Sequence, residues 1–285
     1  MLLSSLPFRS VRVVTAVLVI LVLAVTLSTP AFSASSVTTI DVPGASFTVA
    51  LAINDLGQIV GFYDDATGQH GFLYSKGAFT TIDVPGASSI AAVGINNRGQ
   101  IVGRYSDATG THGYLYSKGA FTTIDVPGAS FTNARGINDG GTIVGTYDDA
   151  TGLHGYLYSK GAFTTIDVPG ANSTLPREIN NLGKIVGAYD DATGTHGFLY
   201  SKGAFTTIDV PGASVTAALG INDLGQIVGA YEDATGEHGF LLDSKSVFTT
   251  IDIPGASFTQ AGGINNRGQI VGAYVDATGT HGFEQ

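Results

Sequence analysis

The chain has 285 residues, 44% of them apolar and only 13% charged, with 40 glycines and no cysteine. That balance supports a sizeable core and a turn-rich all-β fold, and it excludes disulfide scaffolds, thiolate metal sites and thiol nucleophiles. The formal charge is −10, and the 13 Lys and Arg are scattered, which excludes the basic stripe that tracks a nucleic-acid backbone.

The first 33 residues differ from everything that follows. Arg9 and Arg12 precede an apolar run from Val13 to Leu27, and Ser28, Thr29 and Pro30 then lead into Ala31-Phe32-Ser33-Ala34. Basic start, apolar centre and small-residue end are the pattern of a secretory signal cleaved near Ser33. The run is shorter than the roughly 20 residues a membrane-spanning helix needs. The expectation is a signal peptide over 1–33, a single exported domain over 34–285, and no stable membrane insertion after cleavage. Export without cysteine leaves packing as the source of stability.

From there the chain repeats itself. The phrase Thr-Ile-Asp-Val/Ile-Pro-Gly places its aspartate at Asp41, Asp83, Asp125, Asp167, Asp209 and Asp252, so successive spacings are 42, 42, 42, 42 and 43 residues. A period in the forties signals a propeller or a solenoid. Within a unit, taken along the chain, Asn222-Asp223-Leu224-Gly225 reads as a tight turn between strands a and b. Asp233-Ala234-Thr235-Gly236 turns b into c, and Ser75-Lys76-Gly77 turns c into d. β-branched and aromatic residues fill the segments between turns, and no helical apolar period appears.

Four short antiparallel strands in about 42 residues make a propeller blade. The chain opens after its signal with a strand d, Val37 to Val42, and ends inside a strand c at His281-Gly282-Phe283-Glu284-Gln285. The first strand therefore completes the last blade. The predicted architecture is an all-β, six-bladed propeller closed by its N-terminal strand, with no free edge for aggregation and a monomeric state.

The segments Gly136-Ile137-Asn138-Asp139 and Gly220-Ile221-Asn222-Asp223, followed by Gln226-Ile227-Val228-Gly229 and His238-Gly239-Phe240, resemble the bacterial extracellular HAF repeat across all six units. This chain carries His-Gly-Phe or His-Gly-Tyr in place of the name-giving His-Ala-Phe, as at His70-Gly71-Phe72 and His112-Gly113-Tyr114. The resemblance implies a secreted or surface protein and transfers no catalytic residue.

Six histidines at equivalent positions invite a metal reading, but equivalent sites on a ring are held a blade apart. A hydrogen bond from each imidazole to a turn aspartate, Asp65 for His70 or Asp149 for His154, accounts for them better. The acidic turns lack the alternating ligand order of a calcium loop, so no cofactor is expected and weak surface calcium is the single exception left open. The tyrosines that end strand b, Tyr63 and its five equivalents, suit either packing or stacking on sugars.

Differences between units carry more information than shared residues. At one strand-a position the units read Leu51, Val93, Arg135, Arg177, Leu219 and Gly262, and at the next Ala52, Gly94, Gly136, Glu178, Gly220 and Gly263. Arg135, Arg177 and Glu178, with Asn133 and Gln260, are the candidate ligand-binding residues, because a guanidinium fork suits carboxylates and sugar hydroxyls. The alternative is drift in a wet channel, with Arg177 paired to a neighbouring acid. The expected function is a non-enzymatic binding scaffold for an extracellular glycan or protein, with the acidic face and the channel mouth as contact surfaces. A polysaccharide hydrolase or lyase and a structural matrix protein are the alternatives.

Overall fold

The computed structural model describes residues 36–285; the expected signal peptide lies outside them. Every regular element among the described residues is a β-strand, and there are 24 of them. In the first unit strand a is Phe47–Ile53, b is Ile59–Asp65, c is Gly68–Ser75 and d is Ala78–Ile82. The pattern recurs down the chain to Phe258–Ile264, Ile270–Asp276 and Gly279–Glu284. Thr38–Ile40 pairs antiparallel with Gly279–Glu284, Thr39 opposite Phe283.

Each turn is built as its residues dictate. In the a–b turn the Asn54 side-chain oxygen accepts the backbone N–H groups of Leu56 and Gln58, both at 3.0 Å, an Asx turn that frees Gly57 to take a positive φ of 73°. In the b–c turn Asp65 accepts from the Thr67 N–H at 2.7 Å and from its hydroxyl at 2.6 Å. The c–d turn puts Lys76 at φ 52° and Gly77 at φ 83°, the two left-handed residues of a type I′ hairpin.

The Ile-Val-Gly triplet of strand b organises the packing. Successive residues of a strand point to opposite faces, yet Ile59 and Val60 are both fully buried. Ile59 packs with Ile53, Tyr63 and Phe72 of its own unit and with Ile40 of the N-terminal strand. Val60 packs with Ile82, Ile90, Ile101 and Tyr114, most of them from the second unit. Val102, Val144, Val186 and Val228 each enter the core of the following unit, and Val271 of the sixth enters the core of the first. Burying such a side chain contributes about 1.5–3 kcal/mol, so each unit depends on a neighbour to complete its core.

Backbone bridges join strand c of one unit to strand a of the next at four seams: Gln69 to Ser89, Thr111 to Phe131, Thr195 to Val215, and Glu237 to Phe258. The strands accordingly group into two twelve-stranded sheets, parted at the seams between units three and four and between six and one.

All six a–b hairpins share one irregularity. The register shifts between Ala50 and Ala52, Ala92 and Gly94, Ala134 and Gly136, Pro176 and Glu178, Ala218 and Gly220, and Ala261 and Gly263. One residue per unit is left without a partner on strand b, a bulge that re-aims its side chain. In units three and four the bulged residues are Arg135 and Arg177.

The glycine of the triplet is needed for space. A Cβ on Gly229 would lie 2.0 Å from the Ala217 carbonyl oxygen and 2.7 Å from the Phe240 ring. Gly229→Ala is expected to destabilise the protein by about 1–3 kcal/mol or more, read as a lower urea midpoint at unchanged m-value.

Candidate functional site

The inner strands line a channel whose side chains lie in successive rows. At the a–b end each Asn of the Ile-Asn phrase donates its amide to the carbonyl of the next: Asn54 to Asn96 at 3.0 Å, Asn96 to Asn138 at 3.0 Å, Asn138 to Asn180 at 3.4 Å, Asn180 to Asn222 at 3.0 Å, Asn222 to Asn265 at 3.0 Å and Asn265 to Asn54 at 3.1 Å. The following row reads Asp55, Asn97, Asp139, Asn181, Asp223, Asn266 and alternates acid with amide. Every backbone N–H in it donates to the next unit's side-chain oxygen at 2.8 Å. Asn97 and Asn266 each also bridge the two flanking carboxylates. These two circuits run across all six seams, including the two without backbone bridges.

One level inward the backbones nearly touch. A Cβ on Gly220 would lie 2.9 Å from the Gly263 Cα, and one on Gly263 would lie 2.9 Å from the Ala52 Cα. Five of the six side chains in this row are Ala or Gly, and the sixth is Glu178, whose carboxylate accepts the Ile179 N–H at 2.9 Å. Glu178 lines both the mouth at the a–b end and an interior cavity below it. Burial pushes its carboxyl up to about 8, only partly offset by the Ile179 hydrogen bond.

The interior cavity of 50 Å³ is lined by Leu51, Val93, Arg135, Arg177, Glu178, Leu219, Gln260 and Gly262. Four of the five candidate residues therefore meet there. Asn133 does not: it is fully buried outside the cavity lining, with neither amide atom hydrogen-bonded to protein. Arg135 and Arg177 bring guanidinium groups into the cavity, and the Nε of each is buried without a protein partner. The twelve ion pairs among the described residues all join a histidine to an aspartate, so the expected pairing of Arg177 with a neighbouring acid is not formed. Desolvation lowers the Arg135 pKa well below the usual range, and the Arg177 and Arg104 charges lower it further. Desolvation and then Arg104 act on Arg177 in the same direction.

Arg104 was missed by comparing strand a alone. It stands on strand b, opposite Ala91, where the other units carry Phe62, Thr146, Ala188, Ala230 and Ala273. The same unit-by-unit comparison one strand over would have found it, as reading the Asp-Asn alternation down the units would have found the mouth circuit.

The histidines take a different partner from the one expected. His70 Nδ1 lies 3.0 Å from Asp83, the aspartate after strand d, and the turn aspartate Asp65 is farther, 3.5 Å from Nε2. Nε2 instead meets the Thr67 hydroxyl at 2.8 Å, and that hydroxyl lies 2.6 Å from Asp65. The c–d register puts Gly71 opposite Ile82, so His70 and Asp83 fall beside each other. The Asp–Thr–His–Asp chain repeats in all six units, as with His281 and Asp41 at 2.7 Å. The hydroxyl of Tyr63 meets Thr81 at 3.1 Å and its ring lies 5.3 Å from His70, so this buried tyrosine packs rather than presenting a sugar platform.

No protein family matches the sequence, and no curated protein matches it either. Solved structures match by shape. A catalytically inactive virginiamycin B lyase from Staphylococcus aureus, crystallised with quinupristin, superposes with TM-score 0.52 at 13% identity over 88% of this chain and 99% of its own. TolB from Acinetobacter baumannii gives 0.58 at 15% identity over 70% and 53%. A gluconolactonase from Xanthomonas campestris gives 0.52 at 11% over 87% and 88%. At such identities the likeness speaks to fold alone, and the fold is a β-propeller.

Glu178 supplies a pH test. Its folded pKa lies above the unfolded value near 4.5, so its contribution to stability is full below pH 4.5 and is lost as pH rises toward 8, by about 1.4 kcal/mol per pH unit at most. Glu178→Gln is expected to match the parent in urea unfolding at pH 4.5 and exceed it by a few kcal/mol at pH 8.5. Equal midpoints at both pH values would contradict the assignment.

Proposed function

We propose that the chain is a secreted, six-bladed β-propeller of the HAF-repeat type, closed by its N-terminal strand, which binds a ligand in its channel and performs no chemistry of its own. Closure is supported by the pairing of Thr38–Ile40 with the last strand, by Val271 packing in the first unit's core and by the bonds from Asn265 and Asn266 to unit one. Export is supported by the character of residues 1–33.

The observation that carries the binding reading is the pair of part-buried arginines whose Nε atoms are enclosed without a partner and whose guanidinium groups form no ion pair. Partly desolvating a charge that has no partner costs stability, and the fold has no need of it: two of the equivalent positions hold Leu51 and Leu219. Stability given up at one place in a repeat is the mark of a site kept for a ligand. The ligand is a component of the extracellular surroundings, glycan or protein, that presents an anionic or strongly accepting group. The turn aspartates of the acidic face are already occupied in holding their own turns, which favours the channel over that face.

The test replaces both arginines by leucine. Arg135→Leu/Arg177→Leu is expected to melt several degrees above the parent and to lose saturable, salt-sensitive binding in a screen of glycans, acidic polysaccharides and extracellular proteins. A lower melting temperature would show that the arginines serve the fold, and breakdown of a polysaccharide by the parent would replace the scaffold with a hydrolase or lyase. Closure is tested separately. Removing residues 36–44 is expected to lower the melting temperature and yield dimers by exposing the edge of Gly279–Glu284, seen by light scattering.

A further inference from the structure

A second hollow, of 460 Å³, opens at the other end of the channel from the asparagine circuits, at the seam between units six and one. Val49, Leu51, Phe62, Phe258, Ala273 and Val275 give it an apolar wall, with Gln260 among its few polar groups. Leu51 and Gln260 line the arginine cavity as well, so the two spaces adjoin.

The channel is thus divided in character. Arg104, Arg135 and Arg177 come from units two, three and four, whereas the apolar wall comes from units six and one. At the strand-b position the contrast is a direct replacement, Arg104 in unit two against Phe62 in unit one. We propose that the channel takes an amphipathic organic anion, its carboxylate or sulfonate held by Arg135 and Arg177 and its apolar body lying in the hollow beside Phe62. The inference rests on the channel being a binding site and adds the ligand's chemistry.

Each half of the ligand follows from a separate observation. Guanidinium groups are donors only, so the head group must accept hydrogen bonds, and a charged acceptor also offsets cations that no protein carboxylate offsets. The cavity of 50 Å³ is small and suits a compact head group. In the hollow, a hydroxyl-rich ligand would leave most of its polar groups without partners, which is costly, whereas an alkyl or aryl body removes apolar surface from water on both sides.

The experiment is calorimetric titration of the full chain with butyrate, hexanoate, octanoate and octanesulfonate, with hexanol and glucuronate as controls. Affinity is expected to rise about tenfold or more from butyrate to octanoate, as burial of added methylenes requires. Octanesulfonate should bind comparably to octanoate, and hexanol and glucuronate at least about tenfold more weakly than hexanoate. Phe62→Ala, a residue that units four to six already carry there as Ala188, Ala230 and Ala273, should flatten the chain-length dependence while butyrate binding persists. Arg135→Leu/Arg177→Leu should abolish binding of every acid. Arginine-dependent binding in which glucuronate or butyrate equals octanoate would overturn the amphipathic ligand and leave the channel reading intact. Absence of any arginine-dependent binding in this series would overturn the inference, leaving the broader screen to decide the channel reading. Hexanol binding as tightly as hexanoate would overturn the role of the head group.

Discussion

The fold depends on consecutive burial within one strand. Ile and Val stand side by side in strand b and neither can face water, so every such strand must be covered on both faces. One face is covered within the unit and the other only by the next unit along. A single repeat is therefore an incomplete core, and order arises only when units stack, as in other repeat proteins. The glycine after each pair completes the arrangement, leaving strand a and the strand-c aromatic ring to approach the backbone where a side chain would stand.

From that stacking follows the placing of the site. Six inner strands converge until their backbones touch at the row of Ala52 and Glu178, and the bulge one residue earlier turns a side chain of each unit into the space beyond. In four units that residue is aliphatic or glycine. In two it is arginine, so the repeated frame holds an unrepeated group at a position where its charge forms no ion pair. Repetition supplies the geometry and departure from repetition supplies the chemistry.

Much of this was legible in the residues. The Asn-Asp-x-Gly, Asp-Ala-Thr-Gly and Lys-Gly turns are local in their physics, and they fall between strands a and b, b and c, and c and d as read. The candidate residues Arg135, Arg177, Glu178 and Gln260 meet because equivalent positions share a row. Three things were not legible for physical reasons. A bulge has no local signature beyond nearby small residues, so which side chain is re-aimed could not be read. The partner of His70 depends on cross-strand register, which selects Asp83, 13 residues away, over the nearer Asp65. Asn133 lies on the same strand as Arg135, and only the packed structure shows it enclosed outside the cavity.

The Asp-Asn alternation at the mouth sets a rule of parity. Where Asn97 stands between two aspartates, each carboxylate accepts amide protons and is kept from another carboxylate. An odd number of repeats would force two acids or two amides together at one seam, leaving repulsion or an unmet donor there. The mouth circuit therefore has a two-repeat period, although the strand pattern has a period of one.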